Sequence, residues 1–241
     1  MKLSSRGIVL HSTKYSETSL VVKIYTEQAG MGSFIVGGVR SKKGKFSNSL
    51  FQPLTLVEMN ASGKPGQSML RITDIQLAPP FSGIPGDMIK STVAIFIAEV
   101  IYRSIREEEV NSALFNFLNN GIQFLDLSHH NCSRFHIFFM IQLSRYLGFY
   151  PNGIYSKNIS YFDLREGLFR NDMPVHVDFF DRQQTGILHE LMNRSFDDFH
   201  ETVISGAVSK ALLYGLVTYF ELHQTQGHQI RSHKVLEDVL H

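Results

Sequence analysis

The chain has 241 residues, 43% of them hydrophobic and 19% charged, a globular composition with ample material for a core. Cys132 is its one cysteine, which excludes an intramolecular disulfide and any multi-cysteine zinc knuckle. Net charge is only +1, but residues 1–80 carry ten Lys and Arg against four Asp and Glu, while residues 81–241 carry thirteen against eighteen; the asymmetry points to two regions with different partners and a polyanion for the first.

Met1 to Arg6 is polar, and the apolar stretch after it is interrupted by His11 and Lys14, so no signal peptide is expected. Five β-type runs follow: Gly7 to His11, Ser19 to Thr26, Ser33 to Val36, Leu54 to Met59 and Met69 to Leu77. Turn signals separate them, among them Gln28-Ala29-Gly30 and Ala61 to Gly66. The last run alternates, with Leu70 and Ile72 facing in, until a break at Thr73-Asp74 that reads as a bulge. Five short strands within 80 residues predict a small closed barrel, because closure leaves no exposed edge.

Between the third and fourth runs lies Gly37 to Lys45, Gly-Gly-Val-Arg-Ser-Lys-Lys-Gly-Lys. It holds Arg40, Lys42, Lys43 and Lys45 and no acidic residue. Glycine lets the backbone approach a polyanion closely, and Lys and Arg replace counterions condensed on phosphate. A solvated loop of incidental charge has the same composition; the basic surplus of the first 80 residues favours the polyanion.

Ala78 to Gly86 holds three of the seven prolines and marks a sharp boundary. Beyond it the periodicity becomes helical: Val93 to Ile105, then Leu114 to Leu125 after a cap at Asn111, then Cys132 to Leu147 with Gly148 as the stop. From Pro151 to His176 the pattern loosens into a short hairpin, Ile159 to Leu164 and Gly167 to Phe169, with Arg165-Glu166 at its turn. Helices over Thr185 to Arg194, Val203 to Glu221 and Ser232 to Leu240 complete the chain. The fold class is α+β: a five-stranded barrel over 1–80 and a mainly helical domain over 81–241 with a small hairpin insertion near 152–176. The apolar helical runs carry charges and fall short of a membrane span, so no membrane partner is expected and a reducing cytoplasm is the natural compartment.

The order and spacing of several motifs carry a resemblance. Gly7-Ile8-Val9-Leu10, Tyr15-Ser16-Glu17-Thr18-Ser19-Leu20-Val21-Val22, Tyr25-Thr26, Gly30, Gly37-Gly38-Val39-Arg40 and Phe51-Gln52-Pro53-Leu54 together resemble the N-terminal domain of the bacterial RecO family. Arg134-Phe135, Leu143 and Leu147-Gly148-Phe149 are similar to that family's central helix, and Leu212-Leu213, Tyr219, His223, Ser232 and Val235-Leu236 to its C-terminal pair. The resemblance implies an N-terminal OB-fold and a DNA repair protein without catalytic activity. It implies binding to single- and double-stranded DNA, annealing of complementary strands, and action with RecR. It further implies contact with the C-terminal tail of single-strand-binding protein and, indirectly, loading of RecA filaments, all in the cytoplasm at the nucleoid. One departure stands out: many members carry a four-cysteine zinc site after the Leu-Gly-aromatic element, and Asn152 to His176 has no cysteine. No structural zinc is expected, with packing by Tyr161, Phe162, Leu168 and Phe169 in its place.

The expected DNA-binding residues are Arg6, Lys14, Lys23, Arg40, Lys42, Lys43, Lys45 and Arg71, for phosphate, and Phe46, for stacking. Tyr15, Tyr25, Phe34 and Phe51 are the other aromatics of this region; Phe46 is preferred because it sits beside the basic run with no strand pattern. In the helical half, Arg103, Arg106, Arg134 and Arg145 flank apolar faces and suit the carboxylates of a partner tail. Each is equally an ordinary surface arginine beside a core. His129, His130, Cys132 and His136 offer metal-ligand chemistry, but Ile137-Phe138-Phe139 follows at once, and a segment entering a buried helix explains them without metal. His189-Glu190 lacks the second zincin histidine, Asn193 standing there. Gly30-Met31-Gly32 lacks the third glycine of a dinucleotide loop, and no Walker or nucleophile-elbow motif occurs, so neither enzyme activity nor a cofactor is expected. A basic module docking on an acidic protein, as an interaction adaptor, is the alternative to DNA binding.

Overall fold

The structure is a computed structural model that describes residues 2–39, 45–64, 67–105, 109–156, 161–224 and 229–240. It is an α+β chain, an N-terminal OB-like barrel followed by a helical domain. The barrel comprises β1 (Lys2–Lys14), β2 (Leu20–Thr26), β3 (Gly30–Val36), β4 (Leu56–Ser62) and β5 (Leu70–Leu77), closed in the order β1-β2-β3-β5-β4. Closure runs through a short parallel contact in which Phe34 pairs with Leu70 and Ile35 with Arg71.

β1 serves two neighbours: residues 2–8 pair with β4 and residues 7–14 with β2. Its register shifts between Val9 and His11, leaving Leu10 as the extra residue of a bulge that bends the strand round the barrel. Every second residue points inward, so Val22 and Ile24 of β2, Phe34 and Val36 of β3 and Val57 and Met59 of β4 fill the interior. The break in β5 is a bulge as well. Asn60 pairs with Asp74 and Ala61 with Ile72, so Thr73 has no opposite residue.

By contacts the chain divides into two compact units. The first is Met1–Gly86 with Ile97–Asp126; the second is Asp87–Phe96 with Leu127–His241. The end of α1 (Met88–Ser104) and nearly all of α2 (Ser112–Leu127) thus belong with the barrel. Asn111 caps α2, its Oδ1 accepting the Leu114 N–H at 3.0 Å. Tyr25, on the outer side of β2, stacks on Phe115 at 6.3 Å between ring centres. The buried Asp126 carboxylate holds the chain after the prolines, accepting N–H bonds from Ser82 and Gly83, both at 2.9 Å, and from Ile84 at 2.8 Å.

The second unit holds α3 (Phe135–Tyr146), α4 (Arg182–Met192), α5 (Gly206–His223) and α6 (His233–Leu240), with a sheet β7-β6-β8 made of β6 (Tyr161–Asp163), β7 (Leu168–Arg170) and β8 (Phe179–Phe180). α3 stops at Gly148, whose φ of 84° suits glycine. α5 begins at Gly206 under a Ser205 cap, later than the apolar pattern suggests, and Val203 is left exposed. Gly215 admits Phe180 against the α5 backbone; a Cβ there would lie 2.0 Å from Phe180 Cε1.

In the hairpin region, Phe162 is fully buried against Phe169, Phe180 and Tyr219, as aromatic packing requires. Leu168 is 36% exposed; it pairs with Asp163, on the face of the sheet opposite the Phe162–Phe169 pair. The sheet is also ionic. The buried Asp163 carboxylate accepts the N–H groups of Arg165 and Glu166 and lies 3.3 Å from both Arg170 Nε and His176 Nε2. Among the described residues no helix is long and apolar enough to cross a membrane.

Candidate nucleic-acid interface

The barrel register sorts the basic residues into two faces. On one, Lys23 of β2 stands opposite His11 of β1 and Ser33 of β3. The next outward row is Thr13, Val21, Ile35 and Arg71, running across β1, β2, β3 and β5. Neither row contains a carboxylate. Lys23 and Arg71 have no ion pair among the described residues, and neither has Lys14, which is exposed at the end of β1. Strand spacing puts Lys23 and Arg71 on the order of 10 Å apart. Burial, with the nearby Arg103 guanidinium, pushes the pKa of His11 below its usual value, and its ring stacks on Tyr102 at 5.2 Å.

The other face is acidic. Arg6 is locked to Glu27 by two bonds, Nε to Oε2 at 2.9 Å and Nη2 to Oε1 at 2.6 Å. That hydrogen-bonded pair pulls Glu27 below the ordinary carboxylate range and raises Arg6 further. Arg6 also covers the Phe115 ring at 5.4 Å and stands opposite Glu58 on β4. It borders a depression of about 350 Å³ lined by Glu27, Glu58, Asn60, Asp74 and Gln76. A phosphate would meet three carboxylates there, so Arg6 leaves the predicted set. The register of β1 against β4 and the turn after β2, distant in sequence, decide this.

Arg40, Lys42 and Lys43 lie outside the described residues, but both shoulders of the basic stretch are described. At one, Val39 donates its N–H to Thr18 O at 3.1 Å, joining the stretch to the turn between β1 and β2. At the other, Lys45 Nζ donates to Thr73 O at 2.7 Å and pairs with Asp74 at 3.5 Å. The β5 bulge frees the Thr73 carbonyl for this bond. The Lys45 side chain is still 63% exposed and keeps some reach toward a ligand.

Phe46 is a correction. It is 8% exposed and belongs to the barrel core with Phe51, and Lys45 lies over its ring at 5.0 Å. A loop residue that folds back into the barrel interior has no strand periodicity, which is why the sequence pattern suggests exposure. No face of Phe46 is open to a base. Tyr15, in the turn after β1, is the exposed aromatic of the region.

Of the arginines expected to serve a partner tail, Arg103, Arg134 and Arg145 are described. Arg103 is in the first unit, 3.7 Å from Glu99 and over the Tyr102 ring. Arg134 and Arg145 are in the second, before the start and in the last turn of α3, roughly 16 Å apart along the axis. Burial lowers the pKa of Arg134, and Arg145 packs over Tyr150 at 4.6 Å. Arg106 lies outside the described residues.

In the histidine segment, three of the four residues have described contacts. Cys132 is buried, its thiol directed to His130 O at 3.4 Å, and burial pushes its pKa up. His130 stacks on His200 at 3.9 Å, and the buried His136 meets Phe96 edge-on. Among the described residues no group of three or more His, Cys, Asp or Glu is placed to hold a metal ion.

Comparison with known proteins matches this architecture. The family model described as recombination protein O N terminal covers residues 1–81, and that described as recombination protein O C terminal covers residues 85–229. The DNA repair protein RecO of Bacteroides fragilis is 37% identical over 234 residues, 97% of each chain. That of Phocaeicola vulgatus is 34% identical over 233 residues, again 97% of each chain, and that of Flavobacterium psychrophilum is 34% identical over 241 residues, 99% of each chain.

Proposed function

We propose that this chain, which belongs to the RecO family of DNA repair proteins, is a DNA-binding recombination mediator whose barrel captures DNA electrostatically. The observation that carries this reading is the pair of cations, Lys23 and Arg71, that have no ion pair among the described residues and stand on outward rows without a carboxylate. Lys14 at one end and the Gly37 to Lys45 stretch between its two shoulders add positive charge to the same module. Phosphate contacts need charge and reach rather than a fixed groove, so such a surface accepts single strands and duplexes alike.

Annealing of complementary strands follows from that capture. Two strands brought to one cationic surface lose much of their mutual repulsion, and pairing proceeds on binding energy without a nucleotide cofactor. The helical domain supplies partner contacts in this reading. RecR and the acidic C-terminal tail of single-strand-binding protein bring the complex to coated single strands, where RecA is loaded. Arg134 and Arg145 are separate candidates for that tail rather than one pocket. The protein works on cytoplasmic DNA and catalyses no covalent step.

The test is fluorescence anisotropy with labelled DNA across a salt series. The logarithm of affinity falls linearly with the logarithm of salt concentration. Lys23→Glu with Arg71→Glu weakens binding and lowers the slope by about 0.7 per lost single-strand phosphate contact. Charge reversal at Lys42, Lys43 and Lys45 has the same effect. Binding without a salt slope, or no binding at low salt, favours an adaptor that docks on protein.

A further inference from the structure

The five aromatic residues of the barrel differ sharply in exposure. Tyr25, Phe34, Phe46 and Phe51 are 1–8% exposed, whereas Tyr15 is 62% exposed. Its ring is open although its backbone is tied down. The Tyr15 and Ser16 N–H groups both donate to Ser19 O, at 3.0 and 3.2 Å, and the Ser19 N–H donates to Ser16 Oγ at 3.2 Å. The bond from Val39 to Thr18 O fastens the same turn to the chain leaving β3. An aromatic ring on a fixed turn, 62% exposed and with no ring contact among the described residues, is presented to the surroundings.

Those surroundings are cationic. Lys14 precedes the ring and is exposed. Arg71 Nη1 lies 3.2 Å from where a Gly37 side chain would begin, and Ser19 Oγ lies 4.0 Å from the same point, so the guanidinium borders the base of the turn. Glu17 is the one acidic residue of the turn. Unpaired nucleic acid presents two things in alternation, a phosphate and the face of a base, and binds where cations and an open ring adjoin. A duplex offers the phosphates but keeps its base faces stacked upon one another.

We propose that Tyr15 is a base-stacking platform for single-stranded DNA, and that this one ring gives the barrel a preference for unpaired strands that its cations alone cannot give. The inference rests on the DNA-binding reading above and adds to it the residue that distinguishes strand state. Phosphate contacts at Lys23 and Arg71 serve both forms; the ring serves one.

The chain contains no tryptophan, so Tyr15→Trp places a single indole emitter at the site. Wild type, Tyr15→Ala, Tyr15→Phe and Tyr15→Trp are titrated with an oligothymidylate and with a mixed-sequence duplex at fixed salt. Tyr15→Ala loses about 5- to 150-fold in affinity for the single strand, the range for one stacked base, and its duplex affinity is unchanged. Tyr15→Phe keeps the ring and binds as wild type. The indole emission of Tyr15→Trp is quenched by the single strand and not by the duplex. Equal losses for both DNA forms, an unchanged single-strand affinity, or an indole indifferent to the oligonucleotide overturns the platform while leaving DNA binding in place. Failure of the wild type to bind either DNA overturns the underlying reading.

Discussion

Replacing Asp126 tests whether one carboxylate pins the segment that leads out of the barrel. Its two oxygens accept the N–H groups of Ser82, Gly83 and Ile84, and the Ser82 hydroxyl as well. A single bond to a charged acceptor contributes about 1.5–3 kcal/mol. The three do not add in full, because Ser82 is exposed and Gly83 half-buried, and both regain water when released. The Ile84 N–H is buried and does not. Asp126→Ala therefore costs about 3 kcal/mol, and Asp126→Asn, which keeps the shape and one acceptor, about 1–2 kcal/mol. The loss depends on pH. Burial alone would raise the Asp126 pKa, but the N–H groups of Ile84, Ser82 and Gly83 outweigh it and hold the carboxyl below its usual value. A depressed carboxylate contributes stability above the unfolded pKa of about 3.9 and loses it as pH falls through the folded value. Urea unfolding followed by circular dichroism shows the full gap between wild type and Asp126→Asn at neutral pH and a narrowing gap below about pH 4. Hydrogen exchange at the Ile84 amide speeds up in both variants. Equal midpoints at neutral pH, or a gap that persists undiminished in acid, refutes the reasoning.

Two further substitutions separate packing from binding. Phe46→Ala opens the barrel core, so it lowers stability by about 3 kcal/mol in thermal or urea unfolding and leaves the DNA affinity of the folded protein unchanged. Gly215→Ala reverses the usual benefit of alanine in a helix, about 1 kcal/mol. Its methyl would meet the Phe180 ring, and the melting temperature falls by the equivalent of about 1–3 kcal/mol.

Where packing writes a period into the chain, the sequence was legible. The alternation in β5 and its break at Thr73-Asp74 reappear as a strand with a bulge at Thr73. The Asn111 cap and the Gly148 stop stand where expected, because each satisfies a helix end locally. β1 extends well beyond Gly7 to His11, because its first residues pair with β4 along a polar outer edge that has no apolar pattern. The Asp163 cluster was hidden too. Arg170 and His176 reach it only once β6 and β7 have paired, and two-residue β8 is too short to show a period. Candidate site residues divide along the same line. Charge surplus is additive along a sequence and was visible; which cations stay unengaged depends on register. That register sends Arg6 to Glu27 and leaves Lys23 facing outward among Ser33 and His11.

Lysine footprinting in the presence and absence of a single-stranded oligonucleotide tests the central claim most directly. Acylation rates are read residue by residue by mass spectrometry, at low salt and again at high salt. Bound DNA protects Lys14 and Lys23 on the barrel, leaves Lys210 and Lys234 of the helical domain as reactive as before, and loses its effect as salt rises. Protection confined to Lys210 and Lys234, with Lys14 and Lys23 unchanged, would contradict DNA capture by the barrel.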